Sequence, residues 1–267
     1  MTLPENGAPS SGFMRYVALG DSQTEGVGDG DDVVGLRGWA DRFAEHLAVD
    51  NPDLQYANLA VRGRRAGEVR AEQLGPALAL RPDVATVVAG VNDLLRLRVE
   101  TSAVVGHLEA MFAALTESGA RVATVTFPDL TRIIPLARPV RSRILDINDR
   151  IRVAAARHGV AVAEIALHPA VADRRFWSDD RLHCSPAGHE LIAAAVAHAL
   201  RIPGSDDSWN ELPPPLPVST PSRATDELRW AATFLGPWLG RRLRGQSSGD
   251  RRTAKHPELH RVGGLRG

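Results

Sequence analysis

A small set of residues, far apart in the chain, has the chemistry that acyl transfer requires. Ser22 follows a short apolar run within "YVALGDSQTEG", and Asp180 and His183 lie close together in "WSDDRLHCSPAGH". A serine hydroxyl is a poor nucleophile at neutral pH unless a neighbouring base takes its proton. His183 could be that base, and Asp180 could orient the imidazole and stabilise the imidazolium. Their spacing allows one tight turn to orient both groups.

The oxyanion formed in acyl transfer also needs hydrogen-bond donors aimed at its oxygen. The candidates are the Ser22 N–H, the Gly63 N–H in "NLAVRG" and the side-chain amide of Asn92 in "GVND". Asn92 and Asp93 could instead form an Asx-type turn, and we expect Asp93 to serve structure and Asn92 to be the donor. Gly63 could serve only to supply a positive φ, a role that is compatible with offering its N–H.

Other residues near these motifs are weaker candidates for the same roles. Asp179 competes with Asp180 as the acid, but the Asp-x-x-His spacing favours Asp180. His168 follows a predicted strand without an acidic partner at useful spacing. His189 falls inside a predicted helix, where we expect it on the surface. His183 is therefore the predicted base.

The apolar pattern predicts a fold that can bring these segments together. Buried strands are predicted at 15–19, 54–60, 84–89, 121–127 and 160–165. Amphipathic helices are predicted at 38–49, 66–80, 102–119, 140–159 and 186–201. Strand–helix alternation with short connections indicates a parallel, doubly wound α/β sheet. Ligands bind beyond the carboxyl ends of such strands, and the candidate residues follow predicted strands.

Composition sets broad limits on the class of protein. The 267 residues are 43% hydrophobic and carry a formal net charge of zero, which gives no argument for a nucleic-acid partner. Cys184 is the single cysteine, so no intrachain disulfide framework is expected, and its position beside His183 favours a packing role. We find no signal peptide and no apolar window long enough to span a membrane, and we expect a cytoplasmic protein.

The pattern also divides the chain into segments. We expect a flexible N-terminus (1–14), one folded domain (15–201), a Pro-rich linker (202–222), an amphipathic helix (223–245) and a loosely ordered basic tail (246–267). Trp230 and Phe234 lie on one face of the predicted helix. That helix could dock on the domain or on a second subunit, or it could lie at a membrane interface.

Four blocks carry a resemblance to a known family. In the family's order, "GDSQTEG", "NLAVRG", "GVND" and "DRLH" resemble the SGNH hydrolases, often called the GDSL family, across residues 15–201. The resemblance implies a three-layer α/β/α fold with a five-stranded, flavodoxin-like parallel sheet. It implies Ser22 as nucleophile, Gly63 and Asn92 in the oxyanion hole, and Asp180 with His183 completing the triad. No metal or organic cofactor is implied.

These observations predict a serine esterase or lipase-type acylhydrolase that cleaves a small-molecule carboxylic ester through an acyl-enzyme on Ser22. A thioesterase or an acyltransferase would use the same triad. An alternative of another class is a non-catalytic lipid- or carbohydrate-binding module, with the basic tail as its anchor. Such a module has no need of a histidine oriented by an aspartate, and the sequence therefore favours the enzyme.

Overall fold

A computed structural model describes residues 12–96, 98–211, 229–237, 240 and 248–265. Within them the strands are β1 (Arg15–Gly20), β2 (Gly30–Asp31), β3 (Gly35–Leu36), β4 (Gln55–Asn58), β5 (Val84–Val88), β6 (Arg121–Val125), β7 (Ala161–Ala163) and β8 (His256–Arg261). The α-helices are α1 (Ser22–Glu25), α2 (Trp39–Asp50), α3 (Ala66–Ala79), α4 (Val91–Leu94), α5 (Thr101–Glu117), α6 (Arg141–His158) and α7 (Pro186–Ala199). Short 3₁₀ turns occupy Leu130–Arg132, Pro135–Val140, Ile165–Leu167, Pro169–Ala172, Arg174–Phe176, Ser208–Asn210 and Val262–Leu265.

The central sheet has six strands in the order β7-β6-β5-β1-β4-β8. The first five are parallel and have the flavodoxin-like order that the family resemblance implied, with Val17 of β1 paired to Ala57 and Ala85 on its two sides. Every residue of β5 is buried, as expected for a strand covered on both faces. β2 and β3 form a separate antiparallel hairpin.

Helices cover both faces of the sheet and give the predicted three layers. α2 packs with α7, whereas α5 packs with both α3 and α6. The largest buried side chains include Trp39 and Phe43 of α2 and Phe112 of α5. Burial of such apolar side chains contributes about 2–3 kcal/mol each, so the core between layers holds the loops of the site in place.

The expectation of a loosely ordered tail is wrong for its strand, β8, which pairs antiparallel with β4 and makes the sheet mixed and six-stranded. β8 lies at the edge of the sheet, and its residues are partly or fully exposed. Backbone pairing and an Arg261–Asp53 ion pair hold it. An edge strand that buries little apolar surface leaves no hydrophobic period in the sequence, which explains why the pattern missed it.

The predicted helix at 223–245 is described only in part. Residues 229–237 are helical, and Ala231–Leu235 forms a wider, π-type turn in which Gly236 N–H donates to Ala231 O. The rest of that prediction falls largely outside the described residues, as does most of the predicted flexible N-terminus. Among the described helices, none combines the length and apolar character needed to cross a bilayer.

Candidate active site

Ser22 lies at the carboxyl end of β1, as the first residue of α1. Gln73 of α3 fixes the preceding turn, because its side chain accepts from Gly20 N–H (2.8 Å) and donates to Gly20 O (2.9 Å). A Cβ at Gly20 would lie 2.4 Å from Thr24 Oγ1 and 2.6 Å from Val88 O, so only glycine fits there. The strand therefore delivers Ser22 to the edge where its parallel neighbours also end.

The side chains of Ser22, His183 and Asp180 form one hydrogen-bonded chain. His183 Nε2 lies 2.9 Å from Ser22 Oγ, and His183 Nδ1 lies 2.6 Å from Asp180 Oδ2. If Nδ1 carries its proton toward the carboxylate, Nε2 is left with a lone pair facing the serine hydroxyl. The structure thus brings these three predicted residues together in the order serine, histidine and aspartate.

Asp180 is held as a carboxylate by its own turn. Its Oδ1 accepts hydrogen bonds from Ser178 Oγ (2.7 Å), Leu182 N–H (2.9 Å) and His183 N–H (3.0 Å). Burial opposes ionisation, but the hydrogen bonds and charge of His183 outweigh it and keep the pKa of Asp180 well below its usual range. The neighbouring Asp179 is exposed, and the geometry favours Asp180 as the acid.

Gln23 connects α1, which begins at Ser22, to the loop that carries His183. The sequence did not suggest this role. Its Nε2 donates to Leu182 O (2.8 Å), and its Oε1 accepts from Cys184 N–H (3.3 Å). These two backbone groups flank His183. The glutamine of "GDSQ" therefore restrains the loop on both sides of the imidazole.

The predicted oxyanion-hole residues also converge beside Ser22. Asn92 Nδ2 donates to Asp21 Oδ2 (3.2 Å) and to Arg64 O (3.0 Å), so it bridges the residues next to Ser22 and next to Gly63. Gly63 has φ +80°, a conformation that glycine adopts without strain. As expected, Asp93 has a structural bond, since its carboxylate accepts from Ala66 N–H (2.9 Å) at the start of α3.

A buried ion pair, which the sequence pattern also did not suggest, fixes the Gly63 turn against α1. Glu25 accepts from Arg62 N–H (2.6 Å) and from the Arg62 guanidinium Nε (2.9 Å) and Nη2 (2.7 Å). Both side chains are largely buried, and the carboxylate satisfies several donors at once. Because Glu25 follows Ser22 by about one helical turn, the Glu25–Arg62 ion pair holds the Gly63 turn against α1.

His168, His189 and Cys184 are buried and pack in the interior. The expected surface position of His189 is wrong: its exposure is 0%, and it accepts from Trp39 N–H and lies 3.1 Å from Val27 O. Burial lowers the pKa of His189 to about 4, so it stays neutral. His168 is buried against Trp209, which agrees with its dismissal. Burial raises the pKa of the Cys184 thiol to about 12, which makes it unreactive.

Asp21, between Ser22 and the Gly20 turn, should make stability depend on pH. Burial raises the pKa of its carboxyl from 3.8 to about 7. Between those pH values the folded protein keeps a proton that the unfolded chain has released, so this group lowers the free energy of unfolding as pH rises. The free energy of unfolding of Asp21→Asn minus that of wild type should therefore increase by on the order of 2 kcal/mol between pH 5 and pH 8.

Urea unfolding of both proteins at pH 5 and pH 8 measures this difference. Asp31→Asn is the matched control, because Asp31 is exposed and hydrogen bonds from Val34 and Val33 N–H lower its pKa. The control's difference from wild type should be the same at both pH values. An Asp21→Asn difference that is equally independent of pH would contradict the raised pKa of Asp21.

Across the part of the chain that the structure describes, no cluster of three or more His, Cys, Asp or Glu side chains could hold a metal ion.

A comparison with protein families finds a match. The sequence model of the GDSL-like lipase/acylhydrolase family matches residues 18–191, a span that includes Ser22, Gly63, Asn92, Asp180 and His183. No curated protein matches the chain.

Solved structures share the fold at low sequence identity. An α/β hydrolase from the metagenome of Lake Arreo, Spain, is 22% identical with a TM-score of 0.59 over 71% of this chain and 95% of its own. A lipase/acylhydrolase from Enterococcus faecalis is 21% identical, with a TM-score of 0.56 over 70% and 95%. An acetyl xylan esterase variant from Geobacillus stearothermophilus is 17% identical, with a TM-score of 0.58 over 71% and 95%. Each neighbour is thus covered almost completely, whereas part of this chain has no counterpart in it.

Proposed function

This chain belongs to the GDSL-like lipase/acylhydrolase family of ester-hydrolysing enzymes, and from that premise we propose that it cleaves carboxylic esters through an acyl-enzyme on Ser22. The observation that carries the proposal is the chain of hydrogen bonds from Asp180 through His183 to Ser22, with distances of 2.6 and 2.9 Å. Such an arrangement activates a hydroxyl that is otherwise a poor nucleophile.

In the acylation step, Ser22 Oγ bonds to the ester carbonyl carbon while His183 Nε2 takes the hydroxyl proton. The carbonyl π electrons move to oxygen, and Asp180 stabilises the imidazolium. When the tetrahedral intermediate collapses, the bond to the leaving alcohol breaks, and His183 returns the proton to the alcohol oxygen. A water molecule then repeats the sequence on the acyl-enzyme, releasing the acid and restoring Ser22.

The oxyanion would be stabilised by Ser22 N–H, by Gly63 N–H and by Asn92 Nδ2, which would exchange one of its present hydrogen bonds, to Asp21 or to Arg64 O, for the oxyanion. Within the described residues, neither backbone N–H donates a hydrogen bond to another part of the chain, which leaves both for a ligand. Asn92 bonds to residues beside both of them. Each such donor typically contributes about 3–4 kcal/mol to transition-state stabilisation.

We expect the substrate to be a small-molecule ester. Product analysis distinguishes ester hydrolysis from acyl transfer and from thioester cleavage. We expect p-nitrophenyl acetate and butyrate to release p-nitrophenol with one equivalent of free acid, even with an added alcohol present. An acylated alcohol as main product would show an acyltransferase instead. Preference for a thioester of the same acyl group would show a thioesterase.

The panel should include an acetylated xylo-oligosaccharide, because one structural neighbour is an acetyl xylan esterase. Selective turnover of this substrate would support ester hydrolysis and narrow the substrate to acetylated sugars. Binding of lipid or oligosaccharide without turnover of any panel member would contradict the proposal and favour the non-catalytic module.

A further inference from the structure

The C-terminal part of the chain contacts the turn that carries the predicted acid. The family match ends at residue 191, and the three structural neighbours cover only 70–71% of this chain while being covered almost completely themselves. Residues 212–267, here called the C-terminal extension, therefore lie beyond the family match. Its described residues nevertheless lie against elements that build the site.

Trp230 makes the most direct of these contacts. Its indole Nε1–H donates to the backbone carbonyl of Asp180 at 3.1 Å, and only 6% of the residue is exposed. The guanidinium carbon of Arg181 lies 4.7 Å from the centre of the Trp230 ring, within the range of a cation–π contact. One side chain of the extension thus binds two consecutive residues of the Asp180–His183 turn.

This turn needs external support because its backbone is strained. Arg181 has φ +61°, in the left-handed region that residues with a Cβ rarely adopt. Such conformations persist where surrounding contacts impose them, often at active sites. On the inner side the Asp180 carboxylate binds the N–H groups of Leu182 and His183. Trp230 supplies contacts to the turn's backbone carbonyl and to Arg181.

The C-terminal extension also contacts other segments around the site. Arg252 Nη1 and Nη2 bind the two carboxylate oxygens of Asp32 at 3.0 and 2.6 Å, and Asp32 also binds Arg62 beside the Gly63 turn. Lys255 Nζ donates to Asp41 at 2.6 Å and to Leu36 O at 3.1 Å. With β8 paired to β4, these bonds tie the extension to the sheet edge and to the β2–β3 hairpin.

We propose that Trp230 is a positioning residue for the acid: it holds the Asp180–Arg181 backbone so that the carboxylate meets His183 Nδ1, and it touches no substrate. The described part of the C-terminal extension then helps to hold the active site in place. This inference rests on the proposed function for its kinetic consequence, but its structural consequence can be measured without any turnover.

Two variants of the full chain test it. Trp230→Phe keeps a ring beside Arg181 and removes the N–H, and should lower kcat about fivefold with KM changed less than twofold. Trp230→Ala removes both contacts and should lower kcat by about 50-fold. The matched control is Trp209→Phe, another tryptophan beyond the family match, which packs on His168 away from the triad and should keep wild-type kcat.

A proton NMR spectrum gives the readout that does not depend on activity. The short His183 Nδ1–Asp180 Oδ2 bond should place the ring N–H far downfield. We expect that resonance to move upfield or broaden in both Trp230 variants and to stay in place in Trp209→Phe. Wild-type kcat and an unchanged resonance in Trp230→Phe would overturn the inference. Absence of ester turnover in wild type would instead overturn the proposed function, while the resonance would still decide the role of Trp230.

Discussion

Replacing Ser22 with alanine is expected to lower kcat/KM for p-nitrophenyl acetate by about 10⁴-fold or more. The variant keeps the oxyanion donors and His183 but has no oxygen that can attack the carbonyl carbon. Residual rate above the uncatalysed reaction would come from binding and the oxyanion hole alone. Initial rates over a range of ester concentrations, on purified wild type and variant, measure the loss.

The variant should still fold, because Ser22 Oγ bonds to His183 in the site and not to a residue of the core. Ser118→Ala, at an exposed position after α5, is the control and should keep wild-type activity, with a small change in urea unfolding because Ser118 Oγ donates to Leu115 O. A Ser22→Ala variant that retains activity within tenfold of wild type would remove the serine from its proposed role.

The second large effect is expected at the acid. Asp180→Asn should lower kcat by about 10³- to 10⁴-fold, because an amide cannot stabilise the imidazolium and can favour the wrong histidine tautomer. Burial opposes ionisation of Asp180, but its hydrogen bond to His183 and the other contacts of the turn lower its pKa and favour the charged form. The measurement is kcat at saturating ester, near neutral pH.

Asp179→Asn is the matched control for this experiment, since it makes the same chemical change one residue away, at an exposed side chain. We expect its kcat within about twofold of wild type, because the exposed carboxylate of Asp179 is not the one that binds His183. Greater damage from Asp179→Asn than from Asp180→Asn would show that the acid has been assigned to the wrong residue.

The fold was predictable where burial leaves a regular pattern. The strand at Val84–Val88 is buried on both faces and therefore reads as a continuous apolar run. Ser22, Asn92 and the Asp180–His183 turn follow strands in sequence, and in a parallel sheet the carboxyl ends of those strands share one edge. Topology alone thus placed the predicted site residues together.

Contacts between distant segments left no such pattern. β8 is an exposed edge strand with no hydrophobic period, so its pairing with β4 could not be read from the sequence. His189 looked like a surface residue of α7, yet backbone groups of Trp39 and Val27, from segments far along the chain, enclose its ring.

The contacts that support the site residues could not be predicted from the sequence for the same reason. Gln23 reaches across to Leu182 and Cys184, and Trp230 reaches back to Asp180, over sequence separations that no local motif encodes. A glutamine or a tryptophan has many ordinary roles in a protein. Only its partners in the folded chain indicate that it supports the turn that carries the predicted acid.

Ser22 Oγ is proposed to carry the acyl group during turnover. To test this directly, wild-type protein is mixed with p-nitrophenyl acetate and quenched in acid within milliseconds, and the acetyl group is located by peptide mass spectrometry. We predict one acetyl group on Ser22, absent from the Ser22→Ala variant treated in the same way. Acetylation during turnover at a different residue, with Ser22 unmodified, would contradict the proposed acyl-enzyme.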